Sequence, residues 1–158
     1  MSKRRQNKLI DAGSQRPPLR PKTQKQADYL HALSTSDAVV VLGPAGTGKT
    51  FVAATYTADR FADGAIDKII ITRPNVPAGR DIGFLPGDLK EKMEPYAASF
   101  LTPMRERLGK QQFDSAMRGG KIEIVPFATM RGRSFSDALI ILDEAQNATL
   151  PEMKMFLT

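Results

Sequence analysis

Cysteine is absent from this chain, which excludes a disulfide framework, a thiolate metal cluster and a cysteine nucleophile. Histidine occurs once, at His31, so a multi-histidine metal centre is excluded too and oxygen ligands are the metal chemistry left. Tryptophan is also missing. No apolar run approaches the roughly 18 residues of a membrane span, and the basic N-terminus lacks the apolar stretch of a signal peptide. A membrane is therefore not an expected partner, and the cytoplasm is the expected location. Of the 158 residues, 41% are hydrophobic and 25% charged, which suits one soluble globular domain and excludes collagen and coiled coil.

Acidic residues are scarce at one end. The first 25 residues hold eight basic side chains, Lys3, Arg4, Arg5, Lys8, Arg16, Arg20, Lys22 and Lys25, against Asp11 alone. That balance of +7 exceeds the net +6 of the whole chain, so the rest is nearly neutral. Residues 1–22, with Pro17, Pro18 and Pro21, read as a flexible basic arm preceding a domain over residues 23–158. The arm admits two readings, a tail that attracts RNA or DNA phosphates by counterion release or a solvated end.

Within the domain, Thr23 followed by Gln26 fits a capping box, and Ala27, Leu30 and Leu33 recur at helical spacing up to the polar stretch Ser34 to Asp37. Ala38 to Leu42 is an apolar run without alternation, as in a strand buried on both faces, and Lys68 to Thr72, Lys121 to Val125 and Ala138 to Leu142 read as three further buried strands. Helical stretches separate them, which predicts an α/β fold with a parallel sheet covered by helices on both faces. The Gly- and Pro-rich stretch from Asn75 to Asp88 reads as a long loop at the carboxyl edge of the second strand, where such sheets bind ligands.

Gly43, Pro44, Ala45, Gly46, Thr47, Gly48, Lys49 and Thr50 match G-x-x-x-x-G-K-[ST] between the first predicted strand and a predicted helix, the pattern of a phosphate-binding P-loop. Glycines let backbone N–H groups converge on phosphate oxygens, and the helix N-terminus adds a favourable dipole. Lys49 can neutralise the β- and γ-phosphates, and the Thr50 hydroxyl can ligate Mg²⁺. A ligand-free Gly-rich turn would share the local pattern, but a chance match is about a one percent event or less.

The run LIIL (139–142) ends in Asp143 and Glu144. Beside a phosphate loop, Asp143 can hold Mg²⁺ and Glu144 can deprotonate an attacking water; without one, the pair would read as a polar helix cap. A base next to the γ-phosphate suits hydrolysis better than phosphate transfer to a small molecule. Gln146 is open between sensing the γ-phosphate and capping the next helix. Arg73, Arg80, Arg131 and Arg133 are candidate phosphate contacts at the same edge, each with the alternative of an ordinary surface charge. His31 reads as a helix-surface or packing residue, and the methionines as core filling or surface scatter.

Taken together, GPAGTGKT (43–50), ITRPNVPAGRDIGFLPGDLKEKMEPY (71–96), MRGRSFSDALIILDEAQNAT (130–149) and MKMFLT (153–158) resemble the PhoH family across Thr23 to Thr158. The resemblance implies a RecA-like ATPase core related to superfamily 1 helicases, with ATP and Mg²⁺ as cofactors, a role on RNA and, in some relatives, RNA unwinding or cleavage. It maps Gln26 onto a glutamine that reads adenine and Arg73 onto a motif after the second strand. The family pattern continues to a further strand carrying a Gly-Asp and Gln sensor motif, which in RecA-like sheets lies between the P-loop strand and the Asp-Glu strand. An incomplete sheet, lacking the C-terminal part of the domain and impaired in turnover unless a separate chain supplies the strand, is therefore expected. A homo-oligomer stays open, because RecA-like sites are often completed by a neighbour's Arg. The rival reading is a non-hydrolysing module in which ATP is a structural ligand and the basic arm binds nucleic acid or a partner.

Overall fold

The computed structural model describes residues 16–74 and 89–158, so the first 15 residues of the basic arm and the loop expected over residues 75–88, with Arg80, lie outside the described residues. Helix α1 (Gln24–Thr35) starts where the sequence marks its cap: the Thr23 hydroxyl accepts from the Gln26 N–H at 3.2 Å. The return half of the box is displaced by one residue, since Gln26 Oε1 accepts from the Lys22 N–H at 2.8 Å. Helix α2 (Lys49–Ala62) follows the P-loop, and Tyr56 Oη donates to the Leu33 carbonyl at 2.9 Å, tying α2 to α1.

Strand β1 (Lys68–Thr72) is the centre of a three-stranded parallel sheet. On one side it pairs with β2 (Ile122–Ile124), on the other with β3 (Ala138–Leu142), giving the order β2-β1-β3. The predicted limits of β1 and β3 hold. The ladder at β2 runs one residue past each end, with Ile69 N donating to Lys121 O and Val125 N to Ile71 O, so the run Lys121 to Val125 is paired throughout.

Helices α3 (Leu89–Leu108) and α4 (Lys110–Arg118) connect β1 to β2. With α2 they cover one face of the sheet, where Ala54, Ala58, Ile69, Ile71, Met104, Phe113 and Ile122 share one buried cluster. Arg107 of α3 grips Asp59 of α2 through two hydrogen bonds of 2.6 and 2.9 Å, a fork-to-carboxylate match that locks the P-loop helix onto that layer. The opposite face packs Ile70, Val125, Phe127 and Met130 against Met155 and Phe156 of α5 (Leu150–Leu157). Helices thus lie on both faces of a parallel sheet, as the sequence predicts. Among the described residues no helix is long and apolar enough to cross a membrane.

The first predicted strand is the exception. Residues 38–42 form no strand, and Val40 and Leu42 are 82% and 90% exposed. Like β1, residues 38–42 carry three consecutive β-branched aliphatic residues, but a strand is a property of a pair: isolated extended backbone gains no ladder hydrogen bonds to offset its ordering entropy. Among the described residues β3 pairs with β1 alone, and no strand lies beside residues 38–42 to share a ladder with them.

Candidate functional site

The P-loop leaves the unpaired run at Gly43 and turns through two left-handed glycines, Gly46 (φ 78°) and Gly48 (φ 84°). Gly48 is the N-cap of α2 and has no side chain to satisfy the first-turn N–H groups, so the positive end of this 14-residue helix is open to an anion. Lys49 opens α2 and folds its ammonium back onto the loop, donating to Gly43 O at 2.6 Å and Pro44 O at 2.7 Å. The Thr47 hydroxyl donates to Pro44 O at 2.9 Å, and Gln26 Nε2 donates to Thr47 O at 3.1 Å. Pro44 and Ala45 form the exposed crown of the loop, and Thr50 sits half-buried in the first turn of α2.

Gln26 does two jobs that helical spacing could not reveal. Its carbonyl oxygen serves the start of α1, while its amide holds the P-loop backbone 21 residues away. The φ of Gly48 favours glycine, and a Cβ there would stand 2.9 Å from that amide nitrogen, so the Gln26 side chain would have to shift.

The acidic pair is built by the sheet. Asp143 N donates to Thr72 O at 2.9 Å, extending the β1–β3 ladder one bond past the strands and fixing Asp143 beside Arg73. Burial pushes the Asp143 carboxyl above its ordinary value and the Glu144 charge adds to that, against the opposing pull of Arg73 and Lys49. Lys49 and Asp143, 94 residues apart, are thereby brought within electrostatic reach at the carboxyl edge of the sheet. Glu144 adopts a left-handed backbone (φ 52°), unusual for a residue with a side chain and typical of strain held at functional sites. Its carboxylate accepts from the Gln146 side-chain amide. Gln146 is therefore a partner of Glu144 and not a helix cap; Thr149 caps α5, in a reciprocal box with Glu152.

Arg73 NH1 lies 3.9 Å from Asp143 Oδ2 and Arg73 NH2 lies 3.9 Å from Glu144 Oε1. This pairing went unread in the sequence, although the register Thr72↔Leu142 is the signal that sets residues 73 and 143 side by side. The other arginines go elsewhere. Arg133 donates to Glu123 at 3.0 Å and stacks over Phe135 at 4.9 Å, so it is committed to the strand network of Lys68 and Glu123. Arg131 is exposed beside Pro151 and Glu152 of α5.

These residues fit a nucleotide phosphate with a divalent cation. The loop offers left-handed glycines, an uncapped helix N-terminus and an ammonium satisfied by main-chain carbonyls alone. Among the described residues no group of three or more His, Cys, Asp and Glu could form an all-protein metal cage. Asp143 and Thr50 could still hold Mg²⁺ together with phosphate oxygens and water, the way that ion is usually bound beside phosphates.

Residues 18–158 match the family model described as PhoH-like protein. The chain is 49% identical over 140 residues to the PhoH-like protein of Bacillus subtilis (strain 168), covering 89% of this chain and 44% of that protein. It is 42% identical over 140 residues to the PhoH-like protein of Synechocystis sp. and 43% identical over 143 residues to Protein PhoH of Escherichia coli (strain K12). Those alignments cover 89% of this chain and 43% and 40% of the relatives, so the chain spans less than half the length of the curated relatives it matches.

Proposed function

The chain belongs to the PhoH-like protein family, and from that premise we propose that residues 23–158 act as a P-loop ATPase core that binds Mg²⁺-ATP and hydrolyses its terminal phosphate in a manner coupled to RNA. The observation that carries the reading is a P-loop with an uncapped helix N-terminus and Lys49 within electrostatic reach of Asp143, whose neighbour Glu144 faces the same Arg73 guanidinium, since phosphate binding and water activation must occur close together.

Each residue then has a role. The N–H groups of residues 43–50 cradle the phosphates, and Lys49 exchanges the carbonyls of Gly43 and Pro44 for β- and γ-phosphate oxygens. Gln26, already at the loop, is the candidate contact to adenine. Thr50 and Asp143 hold Mg²⁺, which when bound neutralises phosphate charge. Glu144 accepts a proton as a water oxygen bonds to the γ-phosphorus; the bond from that phosphorus to the β-phosphate bridging oxygen breaks, and ADP leaves. Cytoplasmic action on RNA belongs to the same proposal, supported by the basic residues of the arm.

The test is Mg²⁺-ATP binding and hydrolysis by this chain beside Lys49→Ala and Glu144→Gln, with and without RNA. Loss of binding in Lys49→Ala, with binding kept and hydrolysis lost in Glu144→Gln, is the expected result. ATP binding that never turns over, with or without RNA, would mean a site that is formed but incomplete, and would overturn hydrolysis by this chain alone. A folded chain that binds no ATP would overturn the whole of it.

A further inference from the structure

We propose that Arg73 is a resident counter-cation of the Asp143–Glu144 pair that competes with the divalent metal, so that metal entry requires the guanidinium to leave. The proposal rests on the reading of Asp143 as a metal ligand given above.

Three observations support it. Two different nitrogens of one guanidinium face two different carboxylates, NH1 toward Asp143 Oδ2 and NH2 toward Glu144 Oε1, so the positive charge sits between the groups that would meet a metal. Both separations are 3.9 Å, well beyond the roughly 2.7–2.9 Å of a charge-assisted hydrogen bond. The contact is thus Coulombic and not directional, and it can be given up without breaking a fitted hydrogen bond. Lastly, the backbone at both ends is fixed while the arginine head is not. Thr72 and Leu142 are in register and Asp143 N is bonded to Thr72 O, yet the Arg73 side chain keeps 35% of its surface in solvent.

The consequence is an order of events built from this chain's own charges. Lys49 is the other cation acting on Asp143, and its ammonium is held on the loop carbonyls. Without phosphate, a metal must displace Arg73 and leave it unpaired. With phosphate present, the displaced guanidinium has anionic oxygens to turn to. Arg73 thereby disfavours metal without nucleotide.

The test is Mn²⁺ titration of the full 158-residue chain without nucleotide, followed by water-proton relaxation, for the unmodified chain, Arg73→Gln, Arg73→Lys and Asp143→Asn. Removing the positive charge that faces both carboxylates at 3.9 Å strengthens Mn²⁺ binding in Arg73→Gln by about tenfold. Arg73→Lys keeps the charge and stays within about threefold of the unmodified chain. A residue that merely supported the fold would weaken Mn²⁺ binding when removed, and thermal unfolding of each variant checks that it is folded. Equal or weaker Mn²⁺ binding in Arg73→Gln overturns the proposal while leaving Asp143 as a ligand. Mn²⁺ binding that is absent from every form, or unchanged in Asp143→Asn, overturns the metal reading and the proposal with it.

Discussion

Replacing Gly48 by alanine tests the geometry of the P-loop more sharply than replacing its lysine, because it removes no functional group. Gly48 sits at φ 84°, and placing a Cβ in left-handed backbone costs about 1–2 kcal/mol. The new methyl would also stand 2.9 Å from Gln26 Nε2, so the amide must withdraw and its hydrogen bond to Thr47 O is lost. A bond of that kind contributes about 0.5–1.5 kcal/mol, and the low end applies at this exposed site. The sum is about 1.5–2.5 kcal/mol against the loop conformation. If all of it falls on the binding-competent loop, nucleotide affinity drops by about 13- to 70-fold. Titration of a fluorescent ADP analogue measures this, and the double variant Gly48→Ala/Gln26→Ala separates the two contributions. With the amide gone only the φ cost remains, so the glycine substitution should weaken binding less in the Gln26→Ala background than in the parent. Unchanged affinity in Gly48→Ala, or an equal effect in both backgrounds, would refute the reasoning.

Two other outcomes follow from burial. Asp143 has its carboxyl raised above the ordinary 3.8, mainly by desolvation, so its ionised form costs the folded state stability wherever the group is charged in both states. That cost vanishes as pH falls through the raised folded value and below 3.8; Asp143→Asn should therefore melt at a higher temperature than the unmodified chain at pH 7, with the gap closing toward pH 4 and below. Equal melting at pH 7, or a gap that widens in acid, would contradict it. Met104, fully buried in the cluster under α2, should cost about 3 kcal/mol when cut to alanine and lower Tm by about 6–12 °C, and a drop under 2 °C would show the cavity to be relieved by repacking.

The strands and the chemistry were legible to different depths. KIIIT and ALIIL are found at their predicted limits because short Ile-rich apolar runs bounded by polar residues have few alternatives to a buried parallel strand. AVVVL has the same signature and failed, since the pattern reports a run's readiness to pair and says nothing of whether a neighbour is present. The P-loop was legible because its function is local: eight consecutive residues make the turn, the cap and the charge. The contacts of Gln26 with Thr47 and of Arg73 with the acidic pair cross 21 and 70 residues. Only helix packing and strand register bring them together, and neither is written in any window of sequence.

The parallel register also sets a clock for the protein's synthesis. Among the described residues every strand pair is parallel: Ile69 pairs with Ile122 and Lys68 with Ala138, so β1 leaves the ribosome long before either partner exists. At about 5–20 residues per second, the 70 residues from Lys68 to Ala138 take roughly 4–14 s to arrive. During that wait α3 and α4 can cover the Ile69 and Ile71 face, but the Ile70 face gains Val125, Phe127 and Met130 only later and is completed by Met155 and Phe156 of α5. The P-loop lysine is translated 94 residues ahead of Asp143. A nascent chain thus carries the whole loop well before the β1–β3 ladder that sets Asp143 beside Arg73 can close.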